Sequence, residues 1–165
     1  MPEPDTLFLD DDGVFPNSRL PVLLWRNAIP EGPNAIEETF REHGWEGIWR
    51  NGIFAYHHYH ATAHEVLGIG RGSVTARLGG PHGETLELVA GDVVVLPAGT
   101  AHRNLDQSTD LVVIGGYPPG QRPDLLRGEP GERPEADRLI AGVPLPSSNP
   151  VTGKAGAPPE WQRGG

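Results

Sequence analysis

His58 and His60 stand two positions apart within residues 52–72. On an extended strand the side chains alternate faces, so both imidazoles point the same way. Glu65 follows five positions after His60, enough for a turn and the start of a returning strand. His102 closes a separate stretch, residues 91–102, and brings a third imidazole from another hairpin. Three imidazoles and one carboxylate can close around a single transition-metal ion. Imidazole suits zinc, copper, iron and nickel, and the carboxylate adds charge and hardness.

Other side chains near these four are read from the same alternation. Tyr56, two before His58, is expected to face the same cavity, either as a core aromatic or as a catalytic group. Asn104, two after His102, is expected to face inward, binding substrate or capping a turn. His57 and His64 fall on the opposite face, where packing or contact with water is expected. His82 sits in a Pro-His-Gly turn and is expected to be exposed. His64-Glu65 does not start a zinc-protease helix, because Gly68 stands four after His64. Residues 68–72 do not make a dinucleotide loop, because Ser73 occupies the place of the third glycine.

Composition limits the classes of function. At 165 residues the chain is long enough for one domain with a single core. Its 18 prolines and 23 glycines imply many turns and little helix. A net charge of −9 disfavours nucleic acid and anionic membranes as partners. The absence of cysteine removes disulfides, thiolate nucleophiles and thiolate metal sites. The first residues have neither a basic region nor a long apolar run, and no stretch approaches a membrane span. A cytoplasmic location is therefore expected.

The elements that must position the site follow in chain order. Residues 6–9 and 20–26 read as short strands, an arm suited to a sheet edge or a second subunit. A helix is expected over 34–43, with Asn34 as N-cap, Glu37 three residues on in an arrangement close to a capping box, and Ile36, Phe40 and His43 on a stripe at helical spacing. From 52 to 117 short strands alternate with turns. Val93 to Leu96 form one strand, stopped by Pro97; Leu111 to Ile114 form another, closed by Gly115-Gly116. Leu67, Ile69, Val93 and Val95 are expected to line the interior. Such a series points to a double-sheet barrel of jelly-roll type.

Gly52, His58, His60, Glu65 and Gly72 match without a gap the first motif of the cupin superfamily, G-x5-H-x-H-x4-E-x6-G. Gly91, Pro97, Gly99 and His102 match its second, G-x5-P-x-G-x2-H, although Asp106 stands where the motif ends in Asn. Residues 57–68, 91–105, 115–125 and 144–153 further resemble the bacterial YjlB-like cupins. The resemblance implies an all-β fold, a double-stranded β-helix with one short N-terminal helix and a Pro/Gly-rich C-terminal wrap. It implies a single cupin domain over 1–165, with an N-terminal arm and helix at 1–50, a barrel core at 51–117 and a wrap at 118–165. The wrap is expected to be ordered to about Val151, with disorder in the last several residues. It also implies one divalent metal ion on His58, His60, Glu65 and His102, with iron favoured over manganese, nickel, zinc or copper, and a homodimer. The expected activity is that of an iron-dependent dioxygenase acting on a small organic molecule. A redox-neutral isomerase, epimerase or lyase, and a non-catalytic binder of a metal-chelating metabolite, are the alternatives.

Overall fold

The computed structural model describes residues 3–162. The expected disorder of the last several residues falls on 163–165, which lie outside the described residues. In chain order the elements are β1 (Asp5–Leu7), β2 (Val22–Trp25), α1 (Pro33–Glu42), β3 (Glu46–Asn51), β4 (Glu65–Arg71) and β5 (Ser73–Leu78). Then come β6 (Glu84–Val89), β7 (Val93–Leu96), β8 (His102–Gln107), β9 (Val112–Tyr117), α2 (Glu135–Ala141) and α3 (Pro159–Gln162). The strands make two antiparallel sheets, β1-β2-β7-β4-β9-β3 and β6-β5-β8. Side chains from both meet in one interior cluster that includes Leu67, Ile69, Val74, Leu78, Leu88, Val94 and Leu96. This is the jelly-roll barrel expected, and the arm of β1 and β2 extends the larger sheet along β7.

Pairing of β4 with β7 sets which side chains reach the interior. Glu65 lies opposite Leu96, and Leu67 opposite Val94. Residues directly opposite share a face, so Val94 and Leu96 join Leu67 and Ile69 inside. Val93 and Val95, expected there, instead pack on the outer face with Ile36, Phe40 and Trp161. The run Val93–Leu96 is buried on both faces and has no alternation from which its phase could be read.

Helix α1 covers that outer face, burying Ile36 and Phe40. Gly68 lets it approach: a Cβ there would lie 2.5 Å from Ile36. The helix begins at Pro33 with Gly32 as N-cap, not at Asn34. Proline is pre-set for the first helical position. The Asn34 and Glu37 side chains turn away to accept from Arg50, so no capping box forms. Strand β9 runs through Gly115 and Gly116 where a strand end was expected. Gly115 pairs with both Trp49 and Leu67, and a Cβ on it would lie 2.0 Å from the Trp49 indole. These glycines serve close packing within the sheet, not a turn. The C-terminal wrap contains α2 and α3, two helices with no clear signal in the sequence. Trp161 of α3 is buried, and its indole N–H donates to the Pro21 carbonyl at 2.8 Å.

Candidate metal centre

His102 begins β8 and Glu65 begins β4, both with side chains in the barrel interior. His58 and His60 precede β4 in an extended segment, held by a bridge between His58 and His102 and another between Tyr59 and Leu126. The structure thereby brings together the four residues the spacing singled out. One ring nitrogen from each of His58, His60 and His102 lies within 4.8 Å of the others. The Glu65 Oε1 is 3.4 Å from His60 Nε2 and 3.3 Å from His102 Nε2. That oxygen is buried and has no hydrogen-bond partner.

Each imidazole is oriented from behind. His58 Nδ1 lies 3.0 Å from the Tyr56 carbonyl and His102 Nδ1 lies 3.0 Å from the Thr100 carbonyl. His60 Nδ1 meets the Asp124 carbonyl of the C-terminal wrap. A carbonyl only accepts, so each Nδ1 carries a proton, and in the neutral ring Nε2 presents a lone pair to the centre. Outer partners of this kind fix the tautomer and orientation of metal-ligating imidazoles. The wrap is in turn tied down: the Ala61 N–H donates to Asp124 Oδ1 at 2.7 Å and the Thr62 hydroxyl donates to the Arg122 carbonyl at 2.6 Å.

The electrostatics match a site built for a cation. Burial and the neighbouring His102 push the His58 pKa down to about 3, so its ring is neutral. Burial also opposes a proton on His60, but the Glu65 carboxylate and the Asp124 carbonyl outweigh it and raise the pKa. Burial would raise Glu65; His102 and His60 more than reverse this and keep it ionised. The donor set is therefore three imidazoles and one carboxylate, whose buried Oε1 has no hydrogen-bond partner. These residues fit a divalent transition-metal ion.

The centre opens into a cavity of about 470 Å³. Trp49, Ile53, Phe54 and Leu111 form its apolar wall; Asn51, Gln107 and Tyr117 supply its polar groups. Tyr117 was missed from sequence. Its hydroxyl accepts from the Trp49 indole N–H at 2.9 Å, and burial and the Glu65 charge hold the phenol protonated. Tyr56 stands just outside: its ring stacks on Phe54, meets His58 edge-on, and lies under the Arg127 guanidinium at 3.7 Å. Asn104 is buried, and its amide donates to Gln107 Oε1 at 2.7 Å, so its contact with the cavity runs through Gln107.

His57 and His64 lie away from the centre, as alternation implies. His57 packs beside Phe15, ring centroids 5.6 Å apart. His64 is buried 4.8 Å from the Trp161 ring, and its Nδ1 accepts from the Ala98 N–H at 2.8 Å. Burial, only partly countered by the Pro144 carbonyl, pulls its pKa down to about 4. His82 is exposed.

No family model matches the sequence. The chain is 40% identical over 153 residues to uncharacterized protein YjlB of Bacillus subtilis (strain 168), covering 92% of each chain. Among solved structures it resembles an acireductone dioxygenase from Bacillus anthracis with cadmium in its active centre, at TM-score 0.43 and 18% identity, covering 62% of this chain and 82% of that one. It also resembles a DUF861 family protein from Thermotoga maritima, at TM-score 0.37 and 20% identity, covering 58% and 98%. The extended likeness to YjlB, the two motifs and the two-sheet barrel agree: the chain belongs to the YjlB family of cupins.

Proposed function

We propose that His58, His60, Glu65 and His102 hold one divalent transition-metal ion, preferably iron, and that the protein is a dioxygenase-type oxidoreductase for a small organic molecule. The observation that carries this reading is the buried, unpartnered Glu65 Oε1 set against inward-facing imidazoles at the floor of a cavity. Four protein ligands leave a six-coordinate ion two positions, an open site of the catalytic kind. When bound, the ion would supply Lewis-acid polarisation of a substrate oxygen and a redox partner.

The chain's own residues do the rest in this reading. Trp49, Ile53 and Leu111 keep bulk water from the reacting group. The Tyr117 hydroxyl is fixed between the Trp49 N–H that it accepts and the Glu65 carboxylate, where it can meet a substrate oxygen at the centre. Asn104 positions Gln107, whose remaining polar capacity faces the cavity. The catalytic place expected of Tyr56 thus passes to Tyr117, while the Tyr56 carbonyl orients His58.

A redox-neutral isomerase or lyase is the second reading, favoured by Tyr117 as a proton-bearing group at the centre. Protein loaded with iron(II), and separately with zinc, is offered small acids and carbonyl compounds in an oxygen electrode. Iron-dependent oxygen uptake with product formation supports the dioxygenase. Equal turnover with zinc under anaerobic conditions refutes it in favour of the second reading. Tyr117→Phe is expected to lower turnover while leaving metal content unchanged.

A further inference from the structure

A cationic row crosses the smaller sheet on the face turned away from the metal centre. Arg77 on β5 lies directly opposite Arg103 on β8 and, on its other side, opposite Thr85 on β6. Ala76 and Leu78, which flank Arg77, are buried in the interior, as are His102 and Asn104, which flank Arg103. Both arginines therefore point outward. The antiparallel bridge between His58 and His102 sets His57 next in the same row, beyond Arg103.

This arrangement is unfavourable unless something neutral or negative joins it. Neighbouring strands are about 4.8 Å apart, and like charges directly opposite destabilise a sheet. The chain is acidic overall, and Arg26, Arg41, Arg50, Arg133 and Arg138 all reach a carboxylate. Among the described residues, no ion pair involves Arg77 or Arg103. Arg77 is nonetheless held in place, donating to the Thr85 hydroxyl at 2.7 Å and to the Pro81 carbonyl at 3.0 Å. One terminal nitrogen of its fork makes no bond. The Arg103 guanidinium makes none, and its Nε is buried without a partner, as is the His57 Nδ1. Asp12, the carboxylate felt by His57, uses its Oδ1 to accept the Val14 and Phe15 N–H groups.

We propose that Arg77 and Arg103, with His57 at the edge, form a binding site for a tetrahedral oxyanion, a phosphate or sulfate group. A doubly charged anion offsets both guanidiniums at once, and several of its oxygens can accept from the two forks. The site is separate from the metal cavity, since neither arginine lines it.

Titration calorimetry of the intact protein with inorganic phosphate, sulfate and acetate tests this, with metal content measured before and after. Phosphate and sulfate are expected to bind once per chain, and acetate more weakly. Each of Arg77→Gln and Arg103→Gln should weaken phosphate by about tenfold, the scale of a hydrogen bond to a charged group. Arg103→Lys, which keeps the charge but not the fork, should fall between. Melting temperature gives a second readout. In dilute buffer without oxyanions Arg103→Gln, which loses no hydrogen bond, should be no less stable than the wild type, and phosphate should raise the wild type most. Equal phosphate binding by wild type and the double variant would place the anion elsewhere, including at the metal, and overturn the proposal. Acetate binding as tightly as phosphate would overturn the assignment of a tetrahedral anion.

Discussion

Acidification should destabilise the protein through His64, by an amount the structure sets. His64 is buried, its Nδ1 accepts the Ala98 N–H, and its pKa lies at about 4 against an ordinary 6.5. Between those two values the unfolded chain binds a proton that the folded chain refuses. Stability therefore rises with pH across this window and is lost as pH falls. At pH 5 the loss relative to pH 7 is about 2 kcal/mol, at 1.36 kcal/mol for each pH unit below 6.5. The group is 3% exposed, so solvent screening takes little from this figure. His58, with a pKa of about 3 in the absence of a metal ion, pulls the same way, whereas the raised His60 pulls the other way. A comparison isolates His64 from both. Urea unfolding of metal-free wild type and His64→Gln at pH 7, 6 and 5 should give a stability gap that narrows by about 2 kcal/mol as pH falls. His64→Gln starts lower at pH 7, because it loses the fitted acceptor for Ala98. Parallel curves at all three pH values would show that His64 is not a buried neutral ring, and the reasoning would fail.

His58→Ala or His102→Ala should sharply reduce metal content measured on purified protein, while His57→Ala should retain it; the reverse pattern would mean the strand phase is off by one. Stripping the ion should lower the melting temperature yet leave the β-sheet circular dichroism intact, because the interior core of Leu67, Ile69, Val94 and Leu96 does not depend on it. Gly115→Ala should destabilise the protein by about 1–3 kcal/mol in urea unfolding through overpacking against Trp49, and the cost should shrink in a Trp49→Ala background.

The clustering of His58, His60, Glu65 and His102 was legible because its information is local. His58-x-His60 and the short step to Glu65 express strand alternation, and the Gly91 to His102 stretch encodes its own turn and strand. The barrel was legible for the same reason, as a series of short apolar runs broken by glycine and proline. What escaped the sequence was long-range. The group that orients His60 is the backbone carbonyl of Asp124, and a carbonyl leaves no mark on residue type. Tyr117 reaches the centre from β9 because that strand pairs beside β4, a juxtaposition that only the sheet order supplies. Tyr56 has the right parity, yet the chain turns before it and stacks the ring on Phe54. The phase of Val93–Leu96 was hidden because both of its faces are buried, and only the register against β4 decides that Val94 and Leu96 point inward. Gly115 and Gly116 read locally as a strand end; the indole of Trp49 packed over Gly115 makes them part of the strand. Side-chain chemistry and its spacing along one strand lie in the sequence itself. Which strand lies beside which, and hence which distant residue shares a wall with the His58, His60, Glu65 and His102 cluster, is decided by tertiary packing.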